Sequence, residues 1–251
     1  MKKILSIIIP IYNNEKYIEN TLLSILSQKK DFVELIVVDG KSKDSTLNII
    51  EKYKSKIDLI ISEEDNGVYD AMNKGIKVAT GEWLYFLGSD DLLAPYVIEK
   101  IQHILKEKNT IYYGDVYRPK TNVLYDGKFS RWKIVKKNIC HQAIFYPKSV
   151  FEKYTYDLNF SIQADYHLNM LCFVDIKYNF KYHNILIAYY NDEIDGISRN
   201  KIDYKFLKSK EKIIKEKYGF QYLIYYLSLY YRAKGMKILR SMKSKIISYE
   251  K

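Results

Sequence analysis

The chain has 251 residues, with 41 Lys and Arg against 30 Asp and Glu, so its formal net charge is +11 at pH 7. This length is ample for a buried core, and no stretch reaches the ~20 apolar residues of a membrane-spanning helix. The two cysteines, Cys140 and Cys172, lie in apolar surroundings, which argues against a disulfide framework and indicates a reducing compartment. Pro10 follows the first apolar run without a cleavage-like site, so we expect no signal peptide and a cytoplasmic location.

The first 95 residues alternate between buried strands and amphipathic helices. Apolar runs at 4–9, 32–38, 57–61 and 83–87 predict strands, and the segments between them carry apolar residues at helical spacing. This alternation predicts an α/β fold with a mostly parallel, Rossmann-like sheet and helices on both faces. Because no Gly-x-Gly-x-x-Gly follows the first strand, we do not expect a dinucleotide cofactor.

Two adjacent carboxylates, Asp90 and Asp91, follow the predicted strand that ends before Gly88. Ligands bind at the carboxyl edge of open α/β sheets. Carboxylate oxygens at that edge suit Mg²⁺ or Mn²⁺, and such an ion in turn suits a diphosphate substrate. The alternative is structural, with Asp91 capping the helix that follows Pro95. These residues by themselves leave both interpretations open.

Four motifs then follow one another at the predicted strand ends. They are SIIIPIYNNEKYIENTLLSILSQ, ELIVVDGKSKDST, DNGVYDAMNKGIKVATGEW and FLGSDD. In this order and spacing they resemble the inverting glycosyltransferases of family 2, of the type that makes bacterial surface polysaccharides. The resemblance implies a GT-A domain over residues 1–200, with a nucleotide-binding half at 1–95 and an acceptor half at 96–200. Residues 201–251 would form a C-terminal helical extension.

The resemblance also implies where the nucleotide lies. In the family, the turn after the first strand holds the base, and the carboxylate that ends the second strand contacts uracil or ribose. The matching nucleotide-binding residues here are Pro10, Ile11, Tyr12, Asn13, Asp39, Asp65, Asn73, Lys74, Ser89 and Asp90. Two of them keep a local alternative, because Asp39 can form a turn before Gly40 and Lys74 can be a solvated helix lysine.

The family resemblance implies a divalent metal, Mn²⁺ or Mg²⁺, held directly by Asp90, with Asp91 oriented through water or toward the sugar. Two positions depart from the family pattern. Gly88 stands where the family usually has an acidic or amide residue, and Met72 stands where many relatives have arginine. We therefore expect poor metal affinity in the absence of nucleotide.

The middle of the chain is expected to supply the sugar and acceptor side. The segment Cys140-His-Gln resembles a strand found in a subset of the family, which implies that His141 and Gln142 lie near the sugar or the phosphates. Arg199 follows a glycine in a segment suited to a mobile loop, and its guanidinium can close over the diphosphate.

Asp165, near the start of a predicted helix, matches the acidic residue that the family uses as catalytic base. An inverting displacement needs one carboxylate to take the proton of the acceptor hydroxyl, on the face opposite the leaving diphosphate. Asp165 can instead be a helix cap or a first-turn acid. Asp157 and Asp175 are weaker candidates for the base.

The positive charge is concentrated in residues 201–251, which hold 14 Lys and Arg against 4 Asp and Glu. A basic amphipathic helix rich in tyrosine predicts peripheral attachment to anionic lipid at the inner face of the cell membrane. The alternative is packing on the domain or on a second copy, as in a homodimer. No nucleic-acid-binding module accompanies the charge, so we expect no nucleic-acid partner. The predicted apolar stripe consists of Phe220, Leu223, Ile224, Leu227 and Tyr230.

These features predict a metal-dependent inverting glycosyltransferase that moves a sugar from a nucleoside-diphosphate donor to a glycan or a lipid-linked oligosaccharide. UDP is the favoured nucleotide. One alternative is a protein that binds nucleotide-sugars without turnover and acts as a scaffold. A second is a nucleotidyltransferase, but such enzymes usually carry a Gly-rich basic loop after the first strand, and residues 10–14 do not form one.

Overall fold

The structure is a computed structural model that describes residues 2–192 and 202–232. The strands are β1 Leu5–Ile11, β2 Val33–Asp39, β3 Leu59–Ser62, β4 Trp83–Phe86, β5 Leu92–Leu93, β6 Thr110–Arg118, β7 Val123–Tyr125, β8 Ile144–Pro147 and β9 Asn179–Tyr189. The α-helices are α1 Ile18–Leu26, α2 Thr46–Glu51, α3 Val68–Val78, α4 Val97–Ile104, α5 Arg131–Lys136, α6 Ser149–Lys153, α7 Ala164–Val174 and α8 Tyr204–Ile213. A π-helical turn, Ile214–Tyr218, continues α8, and a further helix, α9, spans 220–232.

All of these strands belong to one sheet, in the order β3-β2-β1-β4-β8-β6-β9-β5, with β7 paired to β6. The pairs β1–β2, β1–β4, β2–β3 and β6–β9 are parallel. Strand β8 runs antiparallel between β4 and β6. The chain directions of β1–β4, β6 and β9 are therefore the same, so their carboxyl ends meet at one edge. The predicted α/β fold with a mostly parallel sheet is confirmed.

The side chains of β1 alternate between two cores, one on each face of the sheet. Leu5, Ile7 and Ile9 belong to the core that includes α1 and α4, whereas Ile8 belongs to the core that includes α3 and α7. Successive side chains of a strand point to opposite faces, and here both faces are covered by helices. This double burial explains why β1 has a continuous apolar sequence.

The middle of the chain departs from its predicted pattern. The strand expected at 123–129 ends at Tyr125, because Gly127 turns the chain with a φ of 68°. The Gly127 amide donates to Oδ1 of Asp115 at 2.6 Å, and Ser130 then caps α5. The segment at Cys140–Gln142, expected within a strand, instead forms a 3-10 turn over His141–Ala143 that leads into β8.

The C-terminal segment is divided between core and surface. Helix α8 and the π-helical turn pack in the same core as α7, through the buried side chains Phe206, Ile213, Ile214 and Tyr218. On α9, Tyr222 and Tyr226 are buried, whereas Phe220, Ile224 and Tyr231 are exposed. The first half of the C-terminal segment therefore packs on the domain, as the alternative to membrane attachment predicted. Among the helices described for 2–192 and 202–232, none combines the length and hydropathy needed to cross a bilayer.

Candidate functional site

A cavity of about 640 Å³ opens at the carboxyl edge of the sheet. Its walls come from the turn after β1, the segments before and within α3, the turn after β4, the end of β6, the 3-10 turn before β8 and the start of α7. The polar side chains on these walls include Asn14, Asp65, Asp90, Asp91, Arg118, Asn138, His141, Gln142 and Asp165. One edge of the sheet thus collects titratable groups from both halves of the chain.

The turn after β1 forms one end of the cavity. Pro10, Ile11 and Tyr12 line it, and the Tyr12 ring is 55% exposed, so one face is open for stacking. Ser89 lines the same region, and its hydroxyl accepts a hydrogen bond from Asn14 Nδ2 at 2.7 Å. This end combines an apolar ring with polar edges, as a nucleotide base requires.

Asp65 also lies on the cavity wall, packed against the α-carbon of Gly40. A Cβ added at Gly40 would overlap the Asp65 carboxylate, so only glycine allows this approach. The Asp65 Oδ1 accepts from the Gly67 amide at 2.8 Å, and Gly67, with a φ of 107°, begins α3. The loop between β3 and α3 thus places one carboxylate against the turn after β2, on the wall of the cavity.

Asp39 and Asn13, two of the predicted nucleotide residues, do not line the cavity. Asp39 is fully buried, and its carboxylate accepts from the Ser42 amide and from the Ser62 hydroxyl, the latter at 2.7 Å. Asn13 Oδ1 accepts from the Lys43 amide at 2.7 Å. Both side chains hold the loop after β2 in place, which is the turn alternative that the sequence left open for Asp39.

Asn73 and Lys74 are also outside the cavity. The Asn73 amide both donates to and accepts from the Tyr156 backbone, at 2.8 and 3.1 Å, so it ties α3 to the segment after α6. Lys74 Nζ lies 3.1 Å from Glu63 and contacts the Glu64 carbonyl oxygen. These side chains have structural partners in this structure, and their approach to a diphosphate stays a prediction.

Asp91 lies on the cavity wall, but its carboxylate is buried and held by hydrogen bonds. It is 2% exposed, its Oδ2 accepts from Gln142 Nε2 at 2.6 Å, and its Oδ1 accepts from the Asn191 amide at 2.8 Å. Burial, followed by the adjacent Asp90 charge, raises the pKa of Asp91 to about 6. Because α4 begins only at Val97, the alternative of Asp91 as a helix cap is wrong.

Asp90 has the opposite environment. Its carboxylate lies on the cavity wall and accepts no hydrogen bond from another residue within 2–192 and 202–232. Burial raises the pKa of Asp90, and the nearby His141 partly offsets this rise. Asp90 is therefore the member of the pair with oxygen atoms available to a ligand.

Gly88 explains how the two carboxylates pack so closely. A Cβ at this position would lie 2.5 Å from Asp91 Oδ2 and 3.1 Å from Asp90 Oδ1. Real Cβ atoms do not approach an oxygen that closely, so any side chain would displace the pair. The departure from the family pattern at Gly88 therefore matches the local packing of Asp90 and Asp91.

The described residues contain no group of three or more His, Cys, Asp or Glu side chains that could enclose a metal ion. Asp90 nevertheless offers hard oxygen donors at the cavity wall. Mg²⁺ is commonly bound by one or two carboxylates together with substrate phosphates and water. The donor set fits an ion that binds together with a diphosphate and does not fit a resident ion bound by protein alone.

Asp165 lies in the first turn of α7 and is 8% exposed. Its Oδ1 is 2.9 Å from the Tyr69 hydroxyl, its Oδ2 accepts from Asn138 Nδ2 at 2.7 Å, and His141 Nδ1 is 3.7 Å from Oδ2. Burial and the Asp165 charge raise the pKa of Tyr69 well above its ordinary value, so its hydroxyl remains a donor. The carboxylate is thereby oriented from both sides of the cavity.

The competing carboxylates lie elsewhere. Asp157 Oδ1 accepts from the Asn159 amide at 2.9 Å, and Asp175 Oδ2 lies 2.6 Å from Lys153 Nζ. Neither lines the cavity. Arg199, expected to close over the diphosphate, is outside the described residues.

Sequence reasoning missed several cavity residues. They are Tyr69, Arg118, Tyr125, Asn138 and Tyr190. Asn138 precedes the His141–Gln142 pair by three positions, and Tyr69 lies in the motif DNGVYDAMNKGIKVATGEW. Their positions in the chain were therefore a weak indication that they line the site. Arg118 carried no signal, because it ends an otherwise ordinary strand.

Comparison with known proteins identifies the family of the chain. The model of glycosyl transferase family 2 matches residues 6–168. A PGL/p-HBAD biosynthesis glycosyltransferase of Mycobacterium bovis is 38% identical over 213 residues, 81% of this chain and 82% of the relative. The poly(ribitol-phosphate) beta-N-acetylglucosaminyltransferase TarP of Staphylococcus aureus is 34% identical over 173 residues, 63% of this chain and 51% of TarP.

Among solved structures, S. aureus TarS 1-349 in complex with UDP-GlcNAc superposes with a TM-score of 0.70. It is 19% identical, and the match covers 89% of this chain and 71% of TarS 1-349. At this identity the likeness concerns the fold, which is the GT-A fold. The family match and the curated relatives go further, and together they show that the chain belongs to glycosyl transferase family 2.

Proposed function

We propose that this family 2 glycosyltransferase is metal-dependent and inverting, and that it moves a sugar from a UDP-sugar to a hydroxyl of a glycan or lipid-linked oligosaccharide. The observation that carries the proposal is a single cavity that is lined by both Asp90 and Asp165. Asp90 follows β4 of the nucleotide-binding half, and Asp165 begins α7 of the acceptor half. An acceptor between them would meet the donor on one side and a base on the other.

The nucleotide end supports a UDP-sugar donor. Pro10, Ile11 and Tyr12 provide an apolar turn, and Asp65 provides a carboxylate that can accept from a ribose hydroxyl or a base amide. TarS, which has the same fold, is described in complex with UDP-GlcNAc, and TarP is named an N-acetylglucosaminyltransferase of poly(ribitol-phosphate). These names support a donor of the UDP-sugar class and an acceptor in a cell-surface polymer.

Asp90 would hold Mn²⁺ or Mg²⁺ together with the diphosphate. When bound, the ion supplies positive charge that offsets the charge developing on the leaving nucleoside diphosphate. Asp91 has a positioning role in this proposal, because it joins the turn after β4 to Gln142 and to the backbone after β9. That connection orients Asp90 and the wall on which the sugar would rest.

Asp165 would act as general base. The acceptor oxygen forms a bond to the anomeric carbon while the bond from that carbon to the diphosphate oxygen breaks, and Asp165 takes the acceptor proton. Tyr69 and Asn138 hold the two carboxylate oxygens, so the base is oriented before the acceptor arrives. His141, whose Nδ1 lies near Oδ2, would contact the sugar or the phosphates.

A donor screen tests the proposal. Purified protein with Mn²⁺ is given UDP-, GDP- and dTDP-sugars in turn, and release of nucleoside diphosphate is followed. We expect slow hydrolysis of a UDP-sugar that is lost in Asp90→Ala and on removal of the metal. Nucleotide binding without release under any condition, with or without extracted glycan acceptors, would favour the scaffold alternative.

We further propose that α9 and the basic residues near it contact the inner face of the membrane. Phe220 is 73% exposed, and Ile224 and Tyr231 lie on the same side of α9 at helical spacing. Exposed apolar residues beside a basic segment suit anionic lipid. Deleting residues 201–251 would also remove Phe206 and Ile214 from the core, so surface substitutions make a sharper test.

The test is flotation with phosphatidylcholine vesicles, with and without phosphatidylserine. The triple variant Phe220→Ser, Ile224→Ser, Tyr231→Ser should float less than the native protein. Tyr204→Ser, which removes an exposed aromatic from α8, is the matched control and should behave as the native protein. Equal flotation of the triple variant and the native protein would contradict membrane contact, and a concentration-dependent dimer lost in the triple variant would favour the homodimer instead.

A further inference from the structure

Arg118 ends β6 and lies on the wall of the cavity between two tyrosine rings. Its Cζ is 4.7 Å from the centre of the Tyr125 ring and 5.0 Å from that of Tyr190. In the β6–β7 register Val116 is opposite Tyr125, so Arg118 and Tyr125 are diagonal neighbours on one face of the sheet. Both tyrosines also line the cavity. The guanidinium is therefore held in a defined position by its aromatic neighbours.

Among the described residues, 2–192 and 202–232, this guanidinium has no anionic partner. Within that part of the chain its Nε is buried and makes no hydrogen bond, and no ion pair includes Arg118. The nearby lysines differ, because Lys133 and Lys137 both pair with Asp126. Buried polar groups are nearly always hydrogen-bonded, so an unpartnered N–H of a guanidinium at a cavity wall indicates a place for a ligand.

The charge of the cavity makes Arg118 distinctive. Among the described residues that line it, Asp65, Asp90, Asp91 and Asp165 are acidic, and Arg118 is the single Lys or Arg. An anion entering this acidic cavity would be attracted to that one position and repelled elsewhere. The planar guanidinium binds phosphate or carboxylate through two parallel hydrogen bonds, so it suits either anion.

The sheet order places Arg118 away from the nucleotide end. Strand β6 is three strands from β1, which at ~4.8 Å per strand is roughly 14 Å from the turn after β1. The turn after β4, which carries Asp90, connects these two regions, because the Ser89 hydroxyl accepts from Asn14 Nδ2 and the Asp91 carboxylate accepts from the Asn191 amide, next to Tyr190. A donor diphosphate at Asp90 would therefore lie between the nucleotide end and Arg118.

We propose that Arg118, held by Tyr125 and Tyr190, binds an anionic group of the acceptor, either a phosphate or a carboxylate. This assignment rests on the proposed function, in which the UDP-sugar donor binds at the nucleotide end and at Asp90. It makes the acceptor an anionic glycan rather than a neutral one. Arg118 is then a specificity-determining residue of the acceptor half.

The experiment is isothermal titration of the protein saturated with UDP and Mn²⁺. The probes are ribitol 5-phosphate and glucuronate, with neutral ribitol and glucose as their uncharged counterparts. We expect the native protein to bind at least one anionic probe about tenfold more tightly than its neutral counterpart, and Arg118→Gln to lose this difference. Arg118→Lys, which keeps the charge without the planar fork, should retain part of it.

Lys181→Gln is the matched control, because it removes one positive charge from the same half of the molecule at an exposed residue paired with Glu107. It should bind every probe as the native protein does. Thermal unfolding of each variant establishes that it is folded. If Arg118→Gln does not fold, the comparison is made with Arg118→Lys instead.

Three results would overturn the assignment. The first is equal binding of charged and neutral probes by the native protein, and the second is an undiminished anion preference in Arg118→Gln. The third is a tenfold loss of UDP affinity in Arg118→Gln with the anionic probes unaffected, which would assign Arg118 to the donor diphosphate. Failure of the proposed function would be visible separately, as absence of UDP binding by the native protein.

Discussion

The hydroxyl of Tyr69 lies 2.9 Å from Oδ1 of Asp165, so residues of α3 and α7 meet across the cavity. The same hydroxyl is 2.7 Å from the Ile162 carbonyl oxygen, and the pair of acceptors fixes the ring at the start of α7. Asn138 holds the other carboxylate oxygen. A base that is fixed in this way loses little orientational freedom when an acceptor hydroxyl arrives, which is the advantage of a preorganised site.

Replacing Asp165 with asparagine should remove catalysis while leaving donor binding intact. The amide keeps the shape of the side chain but cannot take a proton, and general bases typically contribute about 10²–10⁴-fold to rate. We expect kcat for sugar transfer to fall by that factor and the Kd for UDP to remain within twofold of the native value. Asp157→Asn is the control, since that carboxylate lies outside the cavity. Transfer at half the native rate by Asp165→Asn would exclude it as the base.

Tyr69→Phe tests the orienting contact. The substitution removes the hydroxyl and keeps the ring, so we expect kcat to fall about tenfold with little change in the donor KM. The matched control is Tyr156→Phe, because the Tyr156 hydroxyl is buried with no hydrogen-bond partner among the described residues, and the centres of the Tyr156 and Tyr69 rings are 5.4 Å apart. Steady-state kinetics on both variants decide the matter. An equal loss of kcat in the two would mean that ring packing, rather than the hydroxyl, is responsible.

The sequence predicted the parts of the site that depend on local pattern. The apolar run of β1 predicted a strand, because its side chains are buried on both faces of the sheet. The family resemblance implied that the turn after it holds the nucleotide base, which stays a prediction. Asp165 was predicted at the start of a helix, where the structure has it. In both cases the information lies within about ten consecutive residues.

The contacts that complete the site depend on sheet order instead. Arg118 reaches the cavity because β8 is inserted between β4 and β6, and no local periodicity indicates that insertion. Asn73 and Lys74 are the opposite case. They occupy motif positions, but they contact Tyr156 and Glu63 rather than the cavity. These two polar residues were expected at the ligand because of their place in the motif. Contacts with residues distant in the sequence or in a neighbouring loop give them structural partners instead.

Gly88→Asp would restore the acidic residue common in the family, yet we expect it to weaken the site. The new Cβ would lie 2.5 Å from Asp91 Oδ2, and a third carboxylate would join two whose pKa values burial already raises. We expect the free energy of unfolding to fall by about 1–3 kcal/mol and Mn²⁺ affinity without nucleotide to show no gain. Urea unfolding and Mn²⁺ titration measure these quantities, and Gly88→Ala separates the effect of volume from that of charge. Tighter Mn²⁺ binding at unchanged stability would contradict this account of Gly88.

Lys210 is 5% exposed, and its Nζ donates to the Tyr166 hydroxyl at 2.8 Å beneath the Tyr226 ring. No carboxylate within 2–192 and 202–232 forms an ion pair with it, and burial lowers the pKa of Lys210 to about 7. An unfolded lysine titrates near ~10.4, so between pH ~7 and ~10 the unfolded chain holds a proton that the folded protein lacks. This group therefore makes the free energy of unfolding rise with pH over that range.

Lys210→Met should remove this pH dependence and stabilise the protein at pH 6. Methionine fills a similar volume, carries no charge, and leaves the Tyr166 hydroxyl donating to the Ile134 carbonyl oxygen at 2.6 Å. We expect a gain of about 2 kcal/mol at pH 6 that shrinks toward pH 10, because the native lysine is then neutral in the folded state. Urea unfolding of both proteins across this range gives the difference directly, and Lys181→Gln, at an exposed site, should show no such trend. A variant less stable than the native protein at pH 6 would mean that the buried ammonium is stabilised by its aromatic neighbours rather than penalised by burial.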